Sequence, residues 1–196
     1  MTYTLILPGL HNSDPEHWQS RWETRDENIH RVIQDDWVTP RCADWVAKLD
    51  QALAIRGPDA VLVAHSAGCA LVAHWAAGCS RHRVRGALLV APSDPEAPTF
   101  PSGPTGFAPM PLQPFPFPSI VVASSDDPFV TVSRAQLFAE AWGSEFLLIG
   151  TAGHINSDSA LGDWPQGFAL SRSLYQVRDR TNETGRPTRR LVLSQN

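Results

Sequence analysis

Short, continuously apolar runs alternate along this chain with stretches of helical spacing. Residues 4–7, 29–33, 60–64, 86–91, 119–124 and 145–149 read as strands. They are apolar throughout instead of alternating with polar positions, the mark of strands buried on both faces of a parallel sheet. Between them, residues 15–24, 41–55, 67–79, 133–142 and 164–176 read as helices. Asp14 is placed to cap the first, with Pro15 at its first position. Trp45, Leu49 and Leu53 carry the stripe of the second. Strand–helix repetition predicts a doubly wound α/β fold, with a mostly parallel six-stranded sheet and helices on both faces. In such sheets, sites form at the carboxyl ends of the strands.

Two segments break the rhythm. Residues 92–118 hold much of the chain's proline and leave the fourth strand at its carboxyl end. Loops of that length are functional or surface crossovers, so this one either roofs a site or crosses the surface. Residues 177–196 place Arg178, Arg180, Arg186, Arg189 and Arg190 among polar residues and read as a basic, poorly ordered tail. The organisation expected is one domain over 1–176 followed by that tail.

Composition narrows the class. A chain of 196 residues with 42% hydrophobic content suits one domain with a substantial core. A net charge of −4 gives no footprint for nucleic acid. There is no apolar run of membrane-spanning length. The start of the chain, with neither a basic region nor a cleavage site, reads as a strand. Cys42, Cys69 and Cys79 make no disulfide framework, and the expected location is the reducing cytoplasm. Cys69 reads as a helix-packing residue, and no cofactor is expected.

The chemistry starts where the third strand ends. Ala64-His65-Ser66-Ala67-Gly68 places a serine between an apolar run and a helix, with small residues two before and two after it. This is the nucleophile elbow G-x-S-x-G with alanine for the first glycine. Small flanking residues let strand and helix approach closely and tolerate a strained backbone at the serine. A serine hydroxyl needs a base, and the base needs an orienting acid, in the chain order Ser, Asp or Glu, His. Asp126 and Asp127 follow the fifth strand; Asp127 is favoured because Asp, two residues, then Val130 fits the hydrolase pattern. His154, in a glycine-containing loop after the sixth strand, completes the order as the only histidine beyond Asp127.

An oxyanion needs two N–H donors: that of the residue after the serine, Ala67, and one from the loop after the first strand. In Pro8-Gly9-Leu10-His11 the expected donor is Leu10, with His11 second. Of the other histidines, His65 should point away from Ser66 by strand alternation, and His74 reads as helix packing. His11, Asp14 and His17 match no established zinc spacing, so no metal is expected. Trp18 and Trp22 share one helical face and are either core or an aromatic wall of the acyl pocket.

His17-Trp18-Gln19-Ser20-Arg21-Trp22-Glu23, Ala64-His65-Ser66-Ala67-Gly68, Ser125-Asp126-Asp127-Pro128-Phe129 and Gly153-His154-Ile155-Asn156 resemble the small serine hydrolases of the retinoblastoma-binding protein 9 type. The resemblance covers residues 3 to 175, and its HWQSxWE and GHIN blocks are its specific part. It implies an α/β-hydrolase without a separate cap domain, with Ser66 as nucleophile, Asp127 as acid and His154 as base. It also implies esterase or peptidase-like activity on a small-molecule ester or amide. The rival expectation is a protein-binding module on a hydrolase scaffold, with the 92–118 segment or the arginine tail as the partner surface. No contact with nucleic acid or membrane is expected, and the oligomeric state stays open.

Overall fold

A computed structural model describes residues 3–78 and 82–176. Cys79 and the 177–196 segment lie outside them. The strands are β1 (Thr4–Leu7), β2 (Ile29–Arg31), β3 (Val61–His65), β4 (Gly86–Val90), β5 (Ser119–Ala123) and β6 (Glu145–Leu148). The helices are α1 (Trp18–Glu23), α2 (Cys42–Arg56), α3 (Ala67–Ala77), α4 (Val132–Trp142) and α5 (Pro165–Ser173). All strand pairs are parallel, in the order β2-β1-β3-β4-β5-β6. The chain thus reverses its winding between β1 and β3, which opens a crevice beyond their carboxyl ends.

The continuous apolar runs feed two cores. Leu5, Leu7, Leu62, Ala64, Ala87, Leu89, Val121 and Ala123 face one layer, with residues of α2, α3 and α4. Ile6, Val61, Val63, Leu88, Val90, Ile120 and Val122 face the other, with Trp18, Trp22, Trp164 and Leu174. Alternation along each strand sends neighbours to opposite layers. Helix α3 is buried nearly all round, as a helix in the middle of a layer must be.

Helix α1 is shorter than its periodicity predicts. Asp14 Oδ1 accepts from the N–H groups of Glu16 (2.8 Å) and His17 (3.1 Å), closing a turn ahead of the helix. The cap is therefore His17, whose Nδ1 accepts from Gln19 N–H at 3.1 Å. Asp14 holds the approach to the helix, not its first turn.

The 92–118 segment runs from the site edge along the layer of α2, α3 and α4. Thr105 bonds Pro40 and Cys42 at the start of α2. Phe107 and Met110 are then buried in the core, and His74 donates to the Phe107 carbonyl at 2.8 Å. Trp142 donates to the Pro111 carbonyl at 2.7 Å. Residues 105–118 are a crossover over the helices, while Ser93 and Asp94 lie against the loops that follow β3 and β5. Among the described residues, no helix is long and apolar enough to cross a membrane.

Candidate active site

Ser66 ends β3 with φ 57° and ψ −125°, a conformation that a non-glycine residue adopts only under constraint. Two packing contacts impose it. Its N–H is tied to the Val90 carbonyl at 3.0 Å. Two residues on, Gly68 passes so close to β1 that an added Cβ would lie 2.3 Å from the Leu7 carbonyl oxygen. A residue with a side chain there would push α3 off the sheet and unbend the elbow. Ala64, in place of the first glycine of the motif, fits because its methyl group is fully buried in the core.

Three loops carry the other groups to this point. The loop after β5 delivers Asp127, whose side chain is 0% exposed and whose Oδ1 also accepts from Phe129 N–H at 2.8 Å. The loop after β6 delivers His154. The His154 Nδ1 lies 2.9 Å from Asp127 Oδ2, and its Nε2 lies 2.8 Å from Ser66 Oγ. With Asp127 ionised, Nδ1–H donates to the carboxylate and Nε2 accepts from the serine hydroxyl. Asp126 has a different job. Its Oδ1 accepts from the N–H groups of Ala152 (2.9 Å) and Gly153 (2.8 Å) and from Ser124 Oγ (2.6 Å). These bonds, the Ser124 hydroxyl foremost, hold its carboxyl below the usual range, and they fix the loop on which His154 stands.

The crevice between β1 and β3 supplies the floor. Gly9 abuts the serine: a Cβ there would meet Ser66 Cβ at 2.7 Å. This contact brings the loop that carries Leu10 against the serine. Of the two oxyanion candidates from this loop, His11 is corrected. Its N–H donates to the Trp37 carbonyl at 2.7 Å, which anchors the loop after β2 and leaves no proton for an oxyanion.

Behind His154 stands a row of imidazoles that sequence reasoning did not assign. Alternation turns His65 away from Ser66, as expected, and into the layer beside α1. There its Nε2–H donates to the His154 carbonyl at 2.8 Å. Its ring lies 4.9 Å from that of His154 and 4.8 Å from that of His17. Burial keeps His65 neutral by lowering its pKa well below the ordinary histidine value, and the neighbouring His154 and His17 rings act in the same direction. Burial likewise lowers His17 to about 4. His17 and Asp14 are thus occupied in capping and turn formation. Among the described residues, no group of three or more His, Cys, Asp or Glu side chains is placed to hold a metal ion. Cys69 is buried with its thiol pKa pushed well up, its Sγ 3.5 Å from the Val90 carbonyl, which suits packing and not nucleophilic chemistry.

Trp18 and Trp22 are core. Both are buried and pack with Trp164. Each indole also holds a loop: Trp18 Nε1–H donates to the Ile155 carbonyl at 2.8 Å, and Trp22 Nε1–H to that of Asp163 at 2.7 Å. Ile155 has φ 50°, an outlier for a β-branched residue, and this bond pins it directly beside His154. A side chain absent from sequence reasoning also reaches Ser66. Ser93 Oγ, buried after β4, lies 2.8 Å from Ser66 Oγ. The sequence places it just past the fourth strand, but nothing in the spacing singles out its hydroxyl.

A parallel sheet with a strained serine at the β3–α3 turn defines an α/β-hydrolase fold. The chain belongs to the Serine hydrolase family, whose model matches residues 4–173. It is similar to a solved YdeN-like hydrolase from Pectobacterium atrosepticum, at 30% identity and a TM-score of 0.79, over 90% of this chain and 92% of that one. The B. subtilis ydeN gene product is similar at 20% identity and a TM-score of 0.72, over 90% and 100%. A thermophilic esterase from Thermogutta terrifontis shares the fold at 18% identity and a TM-score of 0.63, over 90% of each chain. No curated protein matches the chain.

Proposed function

We propose that this serine hydrolase cleaves small carboxylic esters, and amides by the same steps, through an acyl-Ser66 intermediate. The observation that carries the reading is the continuous relay from Ser66 Oγ through His154 to Asp127, with links of 2.8 and 2.9 Å. His154 Nε2 takes the hydroxyl proton as Oγ attacks the carbonyl carbon. Asp127 holds the imidazole in the required tautomer and stabilises its cation. The carbonyl oxygen, now negative, is received by Ala67 N–H at the head of α3 and by Leu10 N–H. His154 then gives its proton to the departing alcohol. Water repeats the sequence: it loses a proton to His154, attacks the acyl carbon, and releases the acid as Ser66 recovers its proton.

The surroundings favour a neutral, apolar acyl group. Phe129, 38% exposed, stands edge-on to His154 with ring centroids 4.6 Å apart. Leu10, Trp37 and Phe100 are half-buried against the core layer of α2, α3 and α4. Within the family, the HWQSxWE and GHIN blocks support a place among proteins of the retinoblastoma-binding protein 9 type. Free, buried Cys42 and Cys69 suit a reducing cytoplasm.

The test is labelling with a fluorophosphonate, followed by a p-nitrophenyl ester series of increasing acyl length. Ser66 should be the labelled residue, and Ser66→Ala should lower ester turnover by roughly 10⁴-fold or more. Folded wild type that resists the probe at neutral pH, or an alanine variant with near-native turnover, would move the chemistry elsewhere.

A further inference from the structure

We propose that Ser93 is a catalytic residue that donates a hydrogen bond to the Ser66 oxygen and stabilises the negative charge formed there during attack. The proposal rests on the acyl-Ser66 reading. Its first support is an inventory of protons. His154 Nδ1–H faces the Asp127 carboxylate, so Nε2 is the acceptor in the neutral ring. The single proton of Ser66 is therefore directed to Nε2. In the 2.8 Å contact between the two hydroxyls, Ser66 Oγ can only accept, and Ser93 must donate.

The second support is the construction around Ser93. Ala91 enters the turn with φ 48°, a conformation that alanine avoids and that active sites retain. Its N–H is held by the Val122 carbonyl at 2.8 Å. On the other side, Asp94 is almost fully buried. Its N–H donates to the Phe129 carbonyl at 3.1 Å, and its carboxylate receives Arg134 Nε–H at 2.8 Å. Arg134 also pairs with Glu96. Ser93 is thus clamped between β5 and the head of α4, and its neighbour Asp94 is bonded to Phe129, the residue that touches His154.

The chemistry follows from the change in the acceptor. In the resting site, Ser66 Oγ is a neutral alcohol and the bond is an ordinary one. As its proton moves to His154 Nε2, Oγ becomes alkoxide-like, and bonds to a charged acceptor are about twice as strong. In the acyl intermediate Oγ is an ester oxygen, a poor acceptor, so the bond relaxes. When the acyl group departs, Oγ again carries charge and the bond strengthens. The Ser93 proton never leaves its own oxygen, and the gain falls on both transition states and not on the ground state.

The test compares wild type, Ser93→Ala and Ser93→Thr by fluorophosphonate labelling rate, by kcat and KM on p-nitrophenyl acetate, and by thermal melting. We expect Ser93→Ala to slow labelling and kcat by about 10–100-fold, the range of a hydrogen bond to a charged acceptor, with KM and Tm near wild type. Threonine should restore most of the rate, because it keeps the hydroxyl. Should alanine fail to fold, Ser93→Cys keeps the shape with a weaker donor and should show the same loss. A labelled wild type with alanine and cysteine variants within about threefold of it would overturn the proposal while leaving the acyl-serine reading intact. A threonine variant as slow as alanine would reduce Ser93 to packing and also overturn it. A wild type that resists the probe overturns the acyl-serine reading itself, and this proposal with it.

Discussion

Acid should destabilise this protein through His17, by an amount that follows from its surroundings. The residue is 3% exposed, and its Nδ1 must stay unprotonated to accept Gln19 N–H at the head of α1. Its Nε2 has no hydrogen-bond partner among the described residues. Burial is the main reason its pKa falls to about 4; the charge of Arg31 adds to this, and Asp14 opposes it. In the unfolded chain the value returns to about 6.5. Between those limits the unfolded chain binds a proton that the folded one refuses, so stability rises with pH there. Stability is therefore lost as pH falls through 6.5 and stops falling on this account below 4. Integrating the difference gives a loss of about 2 kcal/mol at pH 5 and about 3 kcal/mol at pH 4, relative to pH 7.5. The assay is urea denaturation at pH 7.5 and pH 5 for wild type and His17→Asn. Asparagine keeps an oxygen to cap the helix but cannot titrate. Wild type should lose about 2 kcal/mol more than the variant across this interval, at unchanged m. Parallel losses in the two proteins would refute the reasoning and place the acid sensitivity in other groups, His65 first.

Two further substitutions separate neighbouring roles. Asp127→Asn should lower kcat by on the order of 10⁴-fold, because the amide no longer fixes the imidazole tautomer. Asp126→Asn keeps an oxygen for Ala152 and Gly153 N–H and should retain most activity; equal losses in steady-state kinetics would overturn this division. Gly9→Ala would set a methyl carbon 2.7 Å from Ser66 Cβ. Misplacing a reacting group on that scale costs about 10²-fold in rate, so labelling should slow by that order with little change in Tm, and native labelling would show that the crevice has slack.

The layers were legible because the four inner strands, buried on both faces, leave nearly continuous apolar runs; the edge strands β2 and β6 carry His30, Arg31 and Glu145 and are only partly buried, because each has a neighbour on one side alone. Ser66, Asp127 and His154 were legible for a related reason: Ser66 follows β3 directly and the other two stand in the loops after β5 and β6, so chain order and strand end fix their neighbourhood. Helix starts were less so. Asp14 offers a good capping side chain, but it spends its carboxylate on the preceding turn and yields the cap to His17. Sequence chemistry ranks caps by residue type, whereas the fold chooses by which oxygen or nitrogen remains unoccupied. The same limit explains His11: its position suits an oxyanion donor, but a partner remote in sequence, the Trp37 carbonyl, already holds the proton. Ser93 was invisible because its significance lies in a distance across the sheet edge, and no local pattern encodes one.

The HWQSxWE block shows how a motif can be specific and yet carry no reacting group. His17 caps α1 and stands against the ring of His65. Trp18 pins the Ile155 carbonyl next to His154. Gln19, fully buried, donates to the Val63 carbonyl at 3.0 Å and accepts from Ser13 Oγ at 2.7 Å, tying α1 to β3 just before the elbow. Ser20 and Glu23 both receive Arg31, which also reaches Asn12 Oδ1 and the Ser13 carbonyl and so closes β2 onto the loop that follows Gly9. Trp22 secures the approach to α5 through Asp163. The Trp18 and Gln19 bonds end on the Ile155 carbonyl beside His154 and on the strand that leads to Ser66. A buried polar group that loses its partner costs about 1–3 kcal/mol, so single substitutions in the block are expensive. The motif is specific because a helix of only six residues must satisfy several such acceptors at once. That requirement leaves each position little choice of side chain.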